Sequence, residues 1–132
     1  MQLEALQPLA NLDIEIVSLQ KPIPEKDKKV LESMPRVRSV GETLVDFADT
    51  AALIENLDMV ISTDTAVAHL AGALGNTVWI MLRHSGEWRW LRDRSDSHWY
   101  PTARIFRQKV RGDWMGVVRE ITRQLQSKPR GE

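Results

Sequence analysis

Residues 59–75 read MVISTDTAVAHLAGALG, and this stretch decides the fold class of the chain. It begins as an apolar, β-branched segment typical of a buried strand and passes directly into small residues of helical character, closed by Gly75. A second apolar segment, residues 77–82 (TVWIML), follows without polar alternation, as expected of a parallel strand covered on both faces. A strand, a helix and a strand in this order predict a β-α-β unit of a parallel sheet.

The flanking segments continue the alternation of strands and helices. Further strands are predicted at residues 14–19, 37–40 and 103–106, and further helices at residues 25–33, 50–56 and 114–125. Thr50 is the predicted N-cap of the second of these helices. The pattern predicts an α/β fold with a parallel sheet of about five strands and helices on both faces. We expect a single domain over residues 1–126 and a flexible tail at residues 127–132.

Composition narrows the classes of function. The 132-residue chain is 42% apolar and 27% charged, which is ordinary for a globular domain. No segment approaches the ~18 apolar residues of a membrane span, and the first residues lack the basic start and apolar run of a secretory signal. We therefore expect a cytoplasmic protein without a membrane span. Because the chain has no cysteine, disulfides, thiolate metal sites and cysteine nucleophiles are excluded.

The net charge of zero hides an asymmetry along the chain. Residues 1–66 hold 6 Lys and Arg against 12 Asp and Glu, whereas residues 67–132 hold 12 against 6. The basic half also carries a tryptophan-rich segment, within residues 83–111, of the kind that single-stranded nucleic acids bind. A solvated face or internal charge complementarity explains the same charges. Because no known nucleic-acid module matches, we expect no nucleic-acid partner.

The turn Thr63-Asp64-Thr65-Ala66 is the sharpest candidate for a binding site. In open α/β sheets, ligands bind beyond the carboxyl ends of the strands, and this turn connects such an end to a helix. The first amides of a helix have no intrahelical partner and suit a phosphate. Asp64 can hold a ligand hydroxyl; the alternative is that it only caps the helix. His69, one helical turn on, can reach the same ligand, or it is a satisfied core histidine.

The loop after the first predicted strand is the second candidate. The ammonium of Lys21 suits a diphosphate, and the side-chain amide of Gln20 suits a base or a ribose, unless both are only solvated surface groups. The usual dinucleotide, P-loop and nucleophile-elbow motifs (GxGxxG, GxxxxGK[ST] and GxSxG) do not occur in the sequence.

The segment ISTDTAVAHLA at residues 61–71 resembles a known pattern. The C-terminal, nucleotide-sugar-binding halves of GT-B glycosyltransferases of the heptosyltransferase type carry Asp-Thr-Gly-x-x-His-Leu-Ala at a strand-to-helix turn. The chain is more similar still to bacterial proteins in which tetratricopeptide repeats precede such a domain. Further segments of that resemblance follow in the same order and extend it over about residues 12–125: VSLQK (17–21), DFADTA (46–51), WRWL (88–91), WYP (99–101) and FRQ (106–108).

The resemblance implies a transferase that moves a sugar, with inversion and without a metal ion or other cofactor, from a nucleotide diphosphate sugar of UDP, ADP or GDP type. It implies that Lys21 pairs with the diphosphate and that Asp64 faces the sugar or a hydroxyl near the phosphate. The amides of Thr65 and Ala66 would hold the phosphate, and His69 would support the turn. The predicted nucleotide-sugar-binding set is Gln20, Lys21, Thr63, Asp64, Thr65, Ala66 and His69, with no catalytic and no metal-binding residue.

The sequence departs from the family pattern in two ways. Ala66 stands where heptosyltransferases have glycine, which slightly hinders the closest approach of a phosphate to the backbone. In addition, the resemblance covers the C-terminal half alone, so we expect this sequence to lack the N-terminal GT-B half, which binds the acceptor, and the first strand of the C-terminal half. The resemblance implies a six-strand order of 3-2-1-4-5-6, which without its first strand becomes, renumbered, the order 2-1-3-4-5 of a three-layer Rossmann-like (flavodoxin-like) fold. We therefore expect a donor-binding domain that is inactive in isolation and that works with an N-terminal half or a repeat domain in a longer protein. A homodimer whose chains share elements is the competing arrangement.

A second class of function fits the same fold. The chain would then be a non-catalytic nucleotide-binding or protein-interaction module. The joint presence of Lys21, Asp64, Thr65 and His69 favours donor binding, because a scaffold has no need for that set.

Overall fold

The computed structural model describes residues 1–85, 88–92 and 94–128, and its backbone contacts divide the chain into two compact units. The terminal unit consists of Met1–Val45 together with Trp114–Glu132, and the central unit is Asp46–Asp113. The prediction of one domain over residues 1–126 stays a prediction. Of the predicted tail, residues 129–132 lie outside the described residues, and Ser127 is the last residue of a helix.

The terminal unit contains a two-stranded parallel sheet and helices from both ends of the chain. A 3-10 turn at Leu3–Leu6 leads into the first helix, and another follows the second strand at Gly41–Thr43. The regular elements are α1 (Gln7–Ala10), β1 (Ile16–Ser18), α2 (Glu25–Glu32), β2 (Val37–Ser39) and, from the C-terminal part, α5 (Trp114–Ser127).

The apolar face of α5 holds the terminal unit together. Val117, Val118 and Ile121 recur at helical spacing and are buried, and α5 contacts both α1 and the Leu3–Leu6 turn. Leu9 of α1 is also buried. The period of 3.6 residues in the sequence therefore predicts the packed face of α5 correctly.

The carboxyl ends of β1 and β2 are braced against each other by a close backbone approach. The Val40 amide donates to the Ser18 carbonyl oxygen at 3.0 Å, which extends the ladder one residue beyond β2. A Cβ placed on Gly41 would lie 2.1 Å from the Gln20 carbonyl oxygen. Only glycine fits here, because the obstacle is backbone rather than a flexible side chain.

The central unit contains a three-stranded parallel sheet in the order β3-β4-β5. Residue pairs such as Thr63 with Met81, and Leu82 with Arg107, fix its register. A 3-10 turn, Trp88–Trp90, lies in the connection before the last strand. The regular elements are α3 (Phe47–Glu55), β3 (Val60–Thr63), α4 (Ala66–Ala73), β4 (Val78–Leu82) and β5 (Ala103–Arg107).

The middle strand β4 is buried at every position, as its continuous apolar sequence predicts. The amino-terminal edge of this sheet is tied by Asn76, which follows Gly75 with its positive φ of 75°. The Asn76 side-chain amide donates to the carbonyl oxygens of Ile54 and Leu57 at 2.7 and 3.0 Å. The hydroxyl of Thr102 donates to the Asn76 carbonyl oxygen at 2.7 Å. These bonds join the ends of α3, α4 and β5 around one loop.

The α/β class with parallel strands is confirmed, and β1 pairs with β2 while β4 pairs with both β3 and β5. A pairing of β1 with β3, which would join all five strands into one sheet, is not among the strand pairs of the described residues and stays a prediction.

The predicted N-cap of α3 is wrong. The helix begins at Phe47, and Asp46 is its cap, since the Asp46 carboxylate accepts from the Asp49 amide at 2.9 Å. Thr50 lies inside the helix, where its hydroxyl bonds the Asp46 carbonyl oxygen at 3.3 Å. The earlier Asp offers the same capping geometry one turn sooner, which lengthens the helix.

The long connection between β4 and β5 adds a short antiparallel contact to the edge of the sheet. The Ile105 amide donates to the Ser95 carbonyl oxygen at 2.7 Å, and Asp96 forms a bridge with Arg104. Trp90 of this connection is buried, whereas Trp99 is exposed. Across residues 1–85, 88–92 and 94–128, no helix is long and apolar enough to cross a membrane.

We expect Gly41→Ala to destabilise the chain by about 1–3 kcal/mol, because the new methyl group would force the Gln20 carbonyl aside. Urea denaturation followed by circular dichroism measures the change. The exposed neighbour gives the matched control, Glu42→Ala, whose effect should stay within ~0.5 kcal/mol. Equal stabilities of the two variants would show that the close approach is absent in solution.

Candidate functional site

The turn between β3 and α4 leaves the opening amides of the helix without a side-chain cap. Thr65 occupies the N-cap position in an extended conformation but makes no capping hydrogen bond. Its hydroxyl lies 3.0 Å from that of Ser62, which is itself 2.8 Å from the Thr63 carbonyl oxygen. Since the Ser62 hydroxyl donates its one hydrogen to that carbonyl, the Thr65 hydroxyl donates to Ser62. Thr65 and Ala66 are exposed, so this helix end is accessible to an anion.

Asp64 does not cap the helix; its carboxylate bonds the side chain of His69. One oxygen, Oδ1, lies 3.2 Å from His69 Nε2, and the hydroxyl of Tyr100 lies 2.8 Å from His69 Nδ1. A carboxylate only accepts, so Nε2 carries the hydrogen, and in the neutral ring Nδ1 accepts from Tyr100. The imidazole is thus fixed in one tautomer and one orientation between an acid and a phenol.

His69 is satisfied, yet it is not a core histidine. Its side chain is 32% exposed and that of Asp64 is 26% exposed, so both remain accessible at the turn. The α-helical spacing predicted that His69 and the turn share a face, and the Asp64 contact agrees with that spacing. The hydrogen bonds leave the second carboxylate oxygen of Asp64 without a partner among the described residues.

Aromatic rings fix the position of His69 from the other side. The ring of Trp90 stacks on the imidazole at 5.3 Å between centroids, and the ring of Tyr100 meets it edge-on at 5.7 Å. Trp90 is only 1% exposed, and its indole Nε1 has no hydrogen-bond partner among the described residues. A buried donor without an acceptor costs about 1–3 kcal/mol, which an oxygen atom of a ligand or water can recover.

Tyr100 reaches His69 because α4 carries a glycine where the phenol ring passes. A Cβ on Gly72 would lie 2.5 Å from Tyr100 Cγ. Gly72 follows His69 by three residues and therefore lies on the same face of the helix. That spacing indicates room beside His69 but does not identify the group that fills it, so the predicted site did not include Tyr100 or Trp90.

The remaining predicted site residues lie in the terminal unit, directly after β1. The Lys21 ammonium donates to the Leu44 carbonyl oxygen at 3.1 Å, and the backbone amide of Gln20 donates to the Ser18 hydroxyl oxygen at 3.4 Å. Both Gln20 and Lys21 are exposed. The structure therefore brings together Thr63, Asp64, Thr65, Ala66 and His69, while the convergence of Lys21 on this turn stays a prediction.

Two cations of the basic, tryptophan-rich segment are already engaged with neighbours. Arg94 forms a bidentate pair with Asp96 at 2.8 and 2.9 Å, and this hydrogen bonding lowers the pKa of the Asp96 carboxyl. The Arg104 guanidinium lies 5.4 Å from the centroid of the Phe106 ring. These contacts favour the interpretation of the segment as a surface with its own charge partners.

Other parts of the molecule offer less than the β3–α4 turn. A shallow, open depression lies at the amino-terminal ends of β1 and β2, and its charged side chains pair with each other: Arg36 with Asp13 at 3.0 Å, and Arg38 with Glu15 at 2.7 Å. Where the chain is described, no three His, Asp or Glu side chains come together to hold a metal ion.

Comparison with known proteins gives one partial similarity. The chain is 31% identical over 81 residues to Protein FlbA of Caulobacter vibrioides. The alignment covers 61% of this chain and 13% of FlbA. No protein-family profile and no solved structure matches the chain.

Tyr100→Phe removes the hydrogen bond to His69 Nδ1 without changing the ring. We expect a loss of about 0.5–1.5 kcal/mol of stability and a change in the ¹⁵N shifts of the His69 ring, because Nδ1 loses its donor. Urea denaturation and nitrogen-detected NMR measure the two effects. Trp99→Phe, at an exposed aromatic of the same segment, is the control. Shifts of the His69 ring in Tyr100→Phe that match those of the wild type would contradict the pairing.

Gly72→Ala should destabilise the chain by about 1–3 kcal/mol, because its methyl group would collide with the Tyr100 ring. The usual effect of this substitution inside a helix is a gain of up to about 1 kcal/mol. The sign of the change in the free energy of unfolding, measured by urea denaturation, therefore shows whether the Tyr100 ring packs against Gly72. In a Tyr100→Ala background the collision is gone and the substitution should become favourable; a penalty that persists there would exclude the ring as its cause.

Proposed function

We propose that this chain is the donor-binding domain of a GT-B glycosyltransferase and holds a nucleotide diphosphate sugar at the β3–α4 turn. The observation that carries the proposal is the uncapped, exposed start of α4 beside a carboxylate fixed by His69 and Tyr100. Free helix amides suit a phosphate, and an immobilised carboxylate suits a sugar hydroxyl.

The charge of Asp64 determines which ligand group each part of this turn binds. Two unit negative charges 4 Å apart repel by ~1 kcal/mol in water and by ~4 kcal/mol at an effective dielectric constant of 20. A phosphate held directly by the Asp64 carboxylate is therefore unfavourable. The proposal gives the phosphate to the amides of Thr65 and Ala66 and gives a hydroxyl to Asp64, which accepts from it through the oxygen that His69 leaves free.

The order of the resembling segments supports the family assignment, and the partial similarity to FlbA is compatible with a domain of a longer protein. In the proposed arrangement, the sheets join through a β1–β3 contact in the order 2-1-3-4-5. Gln20 and Lys21 then lie beside the β3–α4 turn, and the Lys21 ammonium exchanges its bond to the Leu44 carbonyl for the diphosphate.

Transfer itself requires more than this chain in the proposal. An N-terminal GT-B half or a repeat domain supplies the acceptor site and excludes water from the reacting sugar, in the cytoplasm and without a metal ion. On this basis the isolated chain binds a nucleotide and transfers nothing.

A non-catalytic interaction module is the second candidate. The exposure of large apolar side chains favours it: Val45 of the terminal unit is 86% exposed, and Phe47 of the central unit is 62% exposed. Apolar side chains that are exposed in this way are available to the apolar surface of a partner.

Titration of the chain with UDP, ADP and GDP by calorimetry distinguishes the two candidates. We expect saturable binding to at least one nucleotide, weakened tenfold or more by Lys21→Ala and by Asp64→Asn, because a tenfold loss corresponds to ~1.4 kcal/mol. Matched controls on exposed side chains, Lys26→Ala and Asp58→Asn, should bind as the wild type does. Absence of binding at millimolar nucleotide would favour the interaction module.

A further inference from the structure

A second polar cluster lies where β4 and β5 end, and none of its residues belongs to the predicted site. Its centre is Gln108, which is only 3% exposed. The Gln108 side-chain oxygen accepts from the His84 amide at 3.2 Å and from the Gly112 amide at 3.0 Å. Two N–H donors require an oxygen, so the orientation of the Gln108 amide is fixed.

The same residue fixes the tautomer of His84. His84 Nδ1 lies 3.2 Å from the Gln108 backbone carbonyl oxygen. A carbonyl oxygen only accepts, so Nδ1 carries the hydrogen, and in the neutral ring Nε2 presents a lone pair. His84 is exposed, and its Nε2 has no partner among the described residues. The imidazole is thus held as an oriented acceptor whose Nε2 meets no donor in the described parts of the chain.

Gln108 also carries an unused donor. Its Nε2 is buried and has no hydrogen-bond partner within the described parts of the chain. Leaving such a donor unpaired costs about 1–3 kcal/mol. The cluster therefore has a free acceptor at His84 Nε2 and an unpaired donor at Gln108 Nε2. A hydroxyl group of a ligand, or an ordered water, can both donate and accept and so suits this pair.

The topology places this cluster at the ligand edge of the sheet. Thr63 pairs with Met81 and Leu82 pairs with Arg107, so the exits of β3, β4 and β5 leave the same edge side by side. Asp64 follows β3 by one residue, and His84 follows β4 by two. Exposed cations follow β4 and β5 in the chain: Arg83, Lys109 and Arg111.

We propose that His84 is a ligand contact that accepts a hydrogen bond from a hydroxyl group of the nucleotide sugar, and that Gln108 is its positioning residue. This inference rests on the proposed function, because the ligand is the one bound at the β3–α4 turn. An Nε2 that carries a lone pair accepts a hydrogen bond, so the group that it meets in this tautomer brings the hydrogen. A hydroxyl of the transferred sugar or of the ribose satisfies this requirement.

The test compares ligands that differ by one hydroxyl-bearing part. We use UDP with UDP-glucose, ADP with ADP-glucose and GDP with GDP-mannose, together with the 2′-deoxy form of each diphosphate. His84→Phe should weaken binding roughly five- to tenfold for the ligand that carries the contacted hydroxyl. The affinity for the matched ligand without that hydroxyl should stay unchanged. A loss confined to the sugar nucleotides identifies the sugar, and a loss that the 2′-deoxy form escapes identifies the ribose.

Matched variants separate orientation from contact. Both Gln108 variants keep the backbone carbonyl that faces His84 Nδ1. Gln108→Glu also keeps an oxygen for both backbone amides, so it should preserve the position of the imidazole, whereas Gln108→Leu releases the His84 amide and should lose that position along with part of the affinity. The ¹⁵N shifts of the His84 ring report the tautomer and, in the wild type, the hydrogen bond formed by Nε2 on ligand addition. His98→Phe, at another exposed histidine of the central unit, is the control.

Each failure has its own signature. Nucleotide binding with equal affinities for wild type and His84→Phe, across all ligands, would overturn the His84 contact and leave the proposed function intact. An Nε2–H tautomer at His84 in the free protein would do the same. Failure of every nucleotide to bind the wild-type chain would overturn both the contact and the function on which it rests.

Discussion

The imidazole of His69, held between the Asp64 carboxylate and the Tyr100 hydroxyl, is the interaction on which the candidate site depends. It joins the turn after β3, the first helical turn of α4 and the long connection before β5 into one network. The stacked ring of Trp90 restricts it further. Hydrogen bonds in a connected network polarise and strengthen one another, and here both ring nitrogens are satisfied. The Asp64 carboxylate is therefore already oriented before any ligand binds.

The β-α-β unit could be predicted because its residues obey local rules. An apolar segment without alternation becomes the buried β4, and the change from apolar to small residues marks the passage from β3 to α4. The same rules failed at Thr50, because Asp46 satisfies the capping geometry one turn earlier. Capping residues compete with one another within a few positions, and the sequence pattern alone does not rank them.

The partners of His69 and Gln108 could not be predicted in the same way, because they come from distant parts of the chain. Tyr100 lies 31 residues from His69, and its approach requires the missing side chain of Gly72. Gln108 reaches His84 across two neighbouring strand ends, which only the sheet register brings together. Spacing along one helix predicts which residues share a face, whereas contacts between loops follow from topology.

The antiparallel contact that the long connection makes with β5 has a consequence for association between chains. An outer strand normally exposes unpaired amides and carbonyls, which can recruit a strand from another molecule and begin aggregation. Here the Ser95 carbonyl oxygen accepts from the Ile105 amide, and the backbone of Asp96 forms an antiparallel β-bridge with that of Arg104, so part of that edge is already occupied. The tryptophan-rich connection thus shields the sheet from intermolecular strand addition as well as contributing Trp90 and Tyr100 to the site.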